Sequence, residues 1–141
     1  MRATTGAAGV SAEALRGRLT DLAAVGQGNL RAVVGEFRRS EVLVPVVDGS
    51  LVSVEAGGIR WLFAFTDEAA LERFAEARGE AVPERIPVHG ARLLDQVIPK
   101  VGGPAGVAVD AGSPTGLALP PVAGIVPDAV AVDGASKEPV A

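Results

Sequence analysis

A chain of 141 residues with a formal net charge of −4 and a pI near 5.0 has room for one ordinary domain with tails, which argues against a two-domain enzyme with its own cofactor domain. The complete lack of cysteine excludes disulfides, thiolate metal sites and thiol nucleophiles. An acidic balance of 13 basic against 17 acidic residues argues against a nucleic-acid surface.

The first twenty residues hold only the interrupted stretch Ala3 to Val10, too broken for a signal peptide, so a cytoplasmic location is expected. Ser11 is placed to cap a helix with Leu15, Leu19, Leu22 and Ala23 on one stripe, ended by Gly26 and Gly28. Asn29 can cap a second helix with Leu30, Val33, Val34 and Phe37 inward and Arg31, Arg38 and Arg39 outward, read as a solvated face. The front is also electrically distinct: residues 1–40 carry six basic and three acidic groups, the remainder seven and fourteen.

From Glu41 the hydrophobic period becomes two, and Val42–Val47, Leu51–Ala56 and Ile59–Phe65 read as strands joined by Asp48-Gly49 and Gly57-Gly58, a three-stranded meander. Pro45 lacks an amide donor, which predicts an edge or a bulge at that point. The third strand puts Ile59, Trp61, Phe63 and Phe65 on one face, and helices are expected to cover it. An open Trp61 face would instead be an anchor for a partner.

Thr66 stands at the cap position of the next helix, with Asp67 and Glu68 placing negative charge at its positive end and Gly79 stopping it. Leu71, Phe74 and Ala75 face inward, and Glu68, Glu72 and Glu76 form a solvated outer row. A short extended piece around Ile86 to Val88 leads to a helix from Ala91 to Ile98 with Leu93, Leu94, Val97 and Ile98 inward. A last strand, Gly106 to Asp110, enters the turn Ala111-Gly112-Ser113-Pro114. Prolines interrupt the uncharged stretch that follows, so no membrane-spanning helix is expected.

The expected architecture is α+β, a single domain whose antiparallel meander extends to a mixed sheet of about five strands with helices mainly on one face. Residues 1–28 form an N-terminal helix and linker, 29–121 the domain and 122–141 an irregular tail. No P-loop, dinucleotide fingerprint or nucleophile elbow occurs. No cofactor, metal or catalytic set is expected. His89 and the Asp110–Ser113 turn read as local structure, and one alternative is a small hydrolase or transferase pairing His89 with Asp110 or another carboxylate.

The run from Phe37 to Pro45, then Ile59-Arg60-Trp61-Leu62-Phe63-Ala64-Phe65-Thr66-Asp67 opening an acidic helix, resembles the SseB N-terminal-domain family. In that family a later strand ends in an Asn-Pro-Gly-like turn; here Asp110-Ala111-Gly112-Ser113-Pro114 stands there, with Asp for Asn and Ala for Pro. The excess of Arg over Lys, 11 to 2, matches a GC-rich bacterial coding sequence. The resemblance implies a compact α+β domain of bacterial proteins with no catalytic set to carry over, a binding or regulatory role, and, from the family label, a secretion-associated chaperone or effector as an alternative. The expected partner is a protein, meeting an exposed sheet edge or the surface of Thr66, Asp67, His89, Asp110, Gly112 and Ser113.

Overall fold

The computed structural model describes residues 12–25 and 30–135. Its first helix, α1 (Glu13–Val25), buries Leu15 and Leu19, and α2 (Leu30–Arg39) buries Val33, Val34 and Phe37. The caps Ser11 and Asn29, the stops Gly26 and Gly28, and the side chains of Leu22 and Ala23 lie outside the described residues. Leu30, expected inward, occupies the first position of its helix and stays exposed. Arg38 makes two hydrogen bonds of 3.1 and 2.6 Å to Asp95, and Arg39 pairs with Glu36, so carboxylates already engage two of the three outward arginines. That bond raises the Arg38 pKa and lowers that of Asp95. Ser40, fully buried, ends α2 by donating its hydroxyl to the Glu36 carbonyl.

Strand β1 (Glu41–Val47) turns at Asp48-Gly49 into β2 (Ser50–Leu51), and β3 (Ser53–Ala56) turns at Gly57-Gly58 into β4 (Ile59–Ala64). All four turn residues have positive φ, between 54° and 82°, the geometry that matches two-residue hairpins to strand twist. After α3 (Glu68–Ala77), β5 (Glu84–His89) leads into α4 (Gly90–Arg92), a π turn at Leu93–Val97 and a 3₁₀ turn at Ile98–Lys100. Strands β6 (Ala105–Val109) and β7 (Leu117–Leu119), a 3₁₀ turn at Asp128–Val130 and α5 (Val132–Ala135) complete the described chain. Among the described residues no helix is long and apolar enough to cross a membrane.

The α+β class holds, but the sheet divides in two, ordered β2-β1-β5 and β3-β4-β6-β7. A single antiparallel bridge, Leu43 to Phe65, joins them through two 2.8 Å hydrogen bonds, so five strands, β5-β1-β4-β6-β7, lie across one layer. In a flat meander the first and third strands would run parallel. Here they meet antiparallel because the expected second strand breaks at Val52, whose amide goes to the Pro45 carbonyl at 3.0 Å. Pro45 therefore lies in an inner strand, not an edge, with its missing donor on the side where β1 changes partner. Leu43 turns its N–H and C=O to Phe65, so its register partner Pro87 directs its own peptide groups outward from β5.

The main core lies on the face opposite to the expected one. Val42, Val44, Leu62, Ala64, Val107 and Leu119 pack there with α1, α2 and the turns that bury Leu93, Leu94 and Ile98. The reverse face holds a smaller cluster of Phe63, Phe65, Ala70 and Leu71, with Leu43 and Phe74 against it. The ten-residue α3 covers only the Phe63–Phe65 end of that face, leaving Trp61 half-buried. Residues 122–131, expected as part of the tail, are irregular but docked: Ile125, Val126 and Ala131 join the main core, and the Val132 amide bonds the Pro121 carbonyl.

Candidate functional site

Parallel pairing of β4 with β6, with Ala64 beside Val109, brings the ends of these strands together. Just beyond them Thr66 and Asp110 meet, both buried. The Thr66 amide donates to Asp110 Oδ1 at 2.8 Å and its hydroxyl to Oδ2 at 2.8 Å, while the Asp110 amide bonds the Ala64 carbonyl. Asp110 adopts φ 52°, a left-handed conformation that Asp and Asn tolerate better than most residues.

Capture of Thr66 by Asp110 moves the helix cap by one residue. Asp67, not Thr66, caps α3, its carboxylate accepting the Ala70 amide at 2.8 Å. The other Asp67 oxygen lies 3.5 Å from Arg16 on α1, both side chains half-exposed. Burial raises the Asp110 carboxyl pKa above its ordinary value, against the pull of the two Thr66 hydrogen bonds; neighbouring Asp67 adds to the rise and Arg16 opposes it. Gly112, with φ 85°, and Ser113 form the turn beyond Asp110. The Ser113 amide bonds the Asp110 carbonyl, and its hydroxyl accepts the Thr115 amide.

Five of the six sequence-derived residues thus share one locale, with Thr66, Asp67 and Asp110 at its centre. His89 does not. It is exposed at the end of β5, in register with Glu41 in the other sheet, and precedes α4 without a side-chain cap bond. With Ile86, Val88, Arg92 and Val97 it borders a groove of about 440 Å³. Asp110 has both oxygens committed to Thr66, so the two groups are not arranged as an acid–base pair. Among the described residues no cluster of three His, Asp or Glu could hold a metal ion.

Thr66→Val removes one of the two donors and leaves a buried carboxylate oxygen unpaired, an expected loss of about 2 kcal/mol. Urea unfolding at neutral pH measures it, and Thr66→Ser, which keeps the hydroxyl, should lose less.

Two features escaped sequence reasoning. Arg16 joins this locale from α1, and the excess of basic groups in residues 1–40 was its only signal. The second is a cleft of about 600 Å³ between the β1–β2 hairpin and the end of α3, lined mainly by Pro45, Val47, Leu51, Val52, Phe74 and Val82. Arg78 lies 5.0 Å from the Phe74 ring centroid and pairs with Glu80 at 3.3 Å. The cleft has no local sequence motif because its walls come from separate segments.

Searches of curated proteins and of solved structures return no match. The family model for the SseB protein N-terminal domain matches residues 15–123, a span that contains both sheets, Arg16 and the Thr66–Asp110 pair. The chain therefore belongs to the SseB family.

Proposed function

We propose that this SseB domain is a non-catalytic module that binds another polypeptide, with the cleft between the β1–β2 hairpin and α3 taking an apolar segment of that partner. The observation that carries this reading is the pair of exposed valines on its lips, Val47 at 52% and Val82 at 44% exposure. Apolar side chains gathered around a concavity lose more water on contact than the same residues scattered singly. The Thr66–Asp110 locale supports it less, because its hydrogen-bonding groups are engaged within the fold.

A photo-crosslinking residue placed at Val82 tests the proposal in the native cell. A discrete protein adduct is expected, and Val47→Asp on the opposite lip should abolish it while leaving thermal unfolding unchanged. No adduct, or one indifferent to Val47→Asp, would refute the reading. The hydrolase alternative requires His89, and no carboxylate oxygen lies within salt-bridge distance of it among the described residues.

A further inference from the structure

We infer that the partner segment binds as an added β-strand, its main chain paired with the outer side of β3, its apolar side chains two residues apart and its flanks basic. The inference rests on the cleft reading above and specifies the chemistry of what the cleft takes.

Strand β3 stands at the end of the order β3-β4-β6-β7, so one of its sides has no neighbouring strand. The register shows which groups lie there. Ala56 and Ile59 close the Gly57-Gly58 hairpin and exchange hydrogen bonds, as do Val54 and Trp61, whereas Ser53 and Glu55 sit at the alternate positions and direct their N–H and C=O groups away from β4. The Arg60 amide, opposite Glu55, confirms this alternation by bonding the Pro104 carbonyl at 3.0 Å on the β6 side. Among the described residues no main-chain bond outside the ladders takes the groups of Ser53 or Glu55.

The side chains of β3 suit the same occupant. The Arg60 guanidinium donates to Ser53 Oγ at 3.1 Å and to Glu55 Oε1 at 3.2 Å, holding both on the face opposite Val54 and keeping the strand extended. On the Val54 face, Val54 is 37% exposed, and Val52 lines the cleft and packs against the Phe63–Phe65 cluster. These valines are two positions apart, about 7 Å along a strand. A strand laid along Ser53 and Glu55 therefore places alternate side chains beside them and turns the intervening ones away. A helix in the same place would leave Ser53 and Glu55 unpaired, because its own main-chain groups bond each other.

Charge selects the flanks. Asp48, beside the Val47 lip, and Glu84, two residues beyond the Val82 lip, are exposed and form no ion pair among the described residues. The nearby cations are already engaged, Arg78 with Glu80 and Arg60 with Glu55. Two unopposed carboxylates thus border the cleft, favouring Lys or Arg on either side of the apolar pair and repelling an acidic segment.

Panning a phage-displayed library of short random segments against the whole chain tests this. Enriched sequences are expected to carry two apolar residues separated by one, with Lys or Arg outside them. In the best synthetic peptide, N-methylation of alternate residues should weaken binding by about tenfold, the scale of a lost hydrogen bond, and N-methylation of the intervening ones should change it little. The Ser53 and Glu55 amides should exchange more slowly in the complex. Asp48→Asn combined with Glu84→Gln should weaken binding several-fold at low salt and little at high salt; Asn tolerates the positive φ of position 48. No enrichment, apolar residues spaced three and four apart, acidic flanks, or uniform tolerance of N-methylation would overturn strand addition. The cleft reading would fall with it only if the Val82 adduct were also absent or indifferent to Val47→Asp.

Discussion

Phe37→Ala is expected to destabilise the fold by about 3–5 kcal/mol, the range for deleting a buried aromatic ring. Phe37 is wholly buried on α2, in the cluster that gathers Leu15 and Leu19 of α1, Val42 of β1 and Leu93 and Leu94 of the π turn. These residues belong to three other elements, so the space left by the ring cannot close by a small movement of any one. For a domain whose whole stability is on the order of 5–15 kcal/mol, the loss is a large fraction. Urea denaturation should show a lower midpoint with an unchanged slope. A loss below about 1 kcal/mol would mean that α2 does not pack as described.

Gly90→Ala attacks the same contact from the other side, at an expected cost of about 3 kcal/mol through overpacking. A Cβ on Gly90 would fall onto the Phe37 carbonyl oxygen and lie 2.7 Å from the Phe37 carbonyl carbon and 2.8 Å from its ring. Retreat is restricted because the Gly90 amide bonds the Ser40 carbonyl at 2.9 Å and β5 is paired with β1 from Glu84 to His89. Since the closest obstacle is main chain, Phe37→Ala should not rescue Gly90→Ala. Gly103→Ala is the control: a Cβ there meets nothing within 4 Å, and its effect should stay within about 0.5 kcal/mol. Equal unfolding midpoints for the two alanine variants would contradict the close approach at Gly90.

Features written into neighbouring residues were the most legible. Asp48-Gly49 and Gly57-Gly58 specified both hairpins, and Gly79 specified the end of α3, because positive φ selects these residues without help from distant chain. The inward face of Leu93, Leu94 and Ile98 followed from helical spacing even though the helix widens into a π turn. Errors arose where a distant residue decided the outcome. Thr66 has the chemistry of a cap, yet its hydroxyl goes to a carboxylate 44 positions away, leaving the cap to Asp67. Alternation from Leu51 to Ala56 looks continuous in sequence, but the Pro45 carbonyl and the Leu43–Phe65 bridge set where the strand breaks. The side on which helices accumulate was equally hidden, since the extended run from Leu62 to Phe65 is apolar on both faces: Phe63 and Phe65 on one, Leu62 and Ala64 on the other.

The candidate locale was legible in part because Asp67 and the Asp110–Ser113 turn carry local signals. Bringing Asp110 to Thr66 required the parallel pairing of β4 with β6, which needs a long crossover and leaves no short-range pattern. His89 has the residue type and the strand-to-helix position of an exposed polar site, but neither shows that β5 carries it into the other sheet.

Pro87 bears on how copies of this protein behave when crowded. An outer strand ordinarily presents an alternating row of donors and acceptors that a neighbouring molecule can zip onto, seeding aggregates. At the outward-facing position of β5 the proline ring replaces a donor with carbon, so the row is interrupted within a six-residue strand. The domain can thereby leave its longest outer strand in water while discouraging runaway self-association.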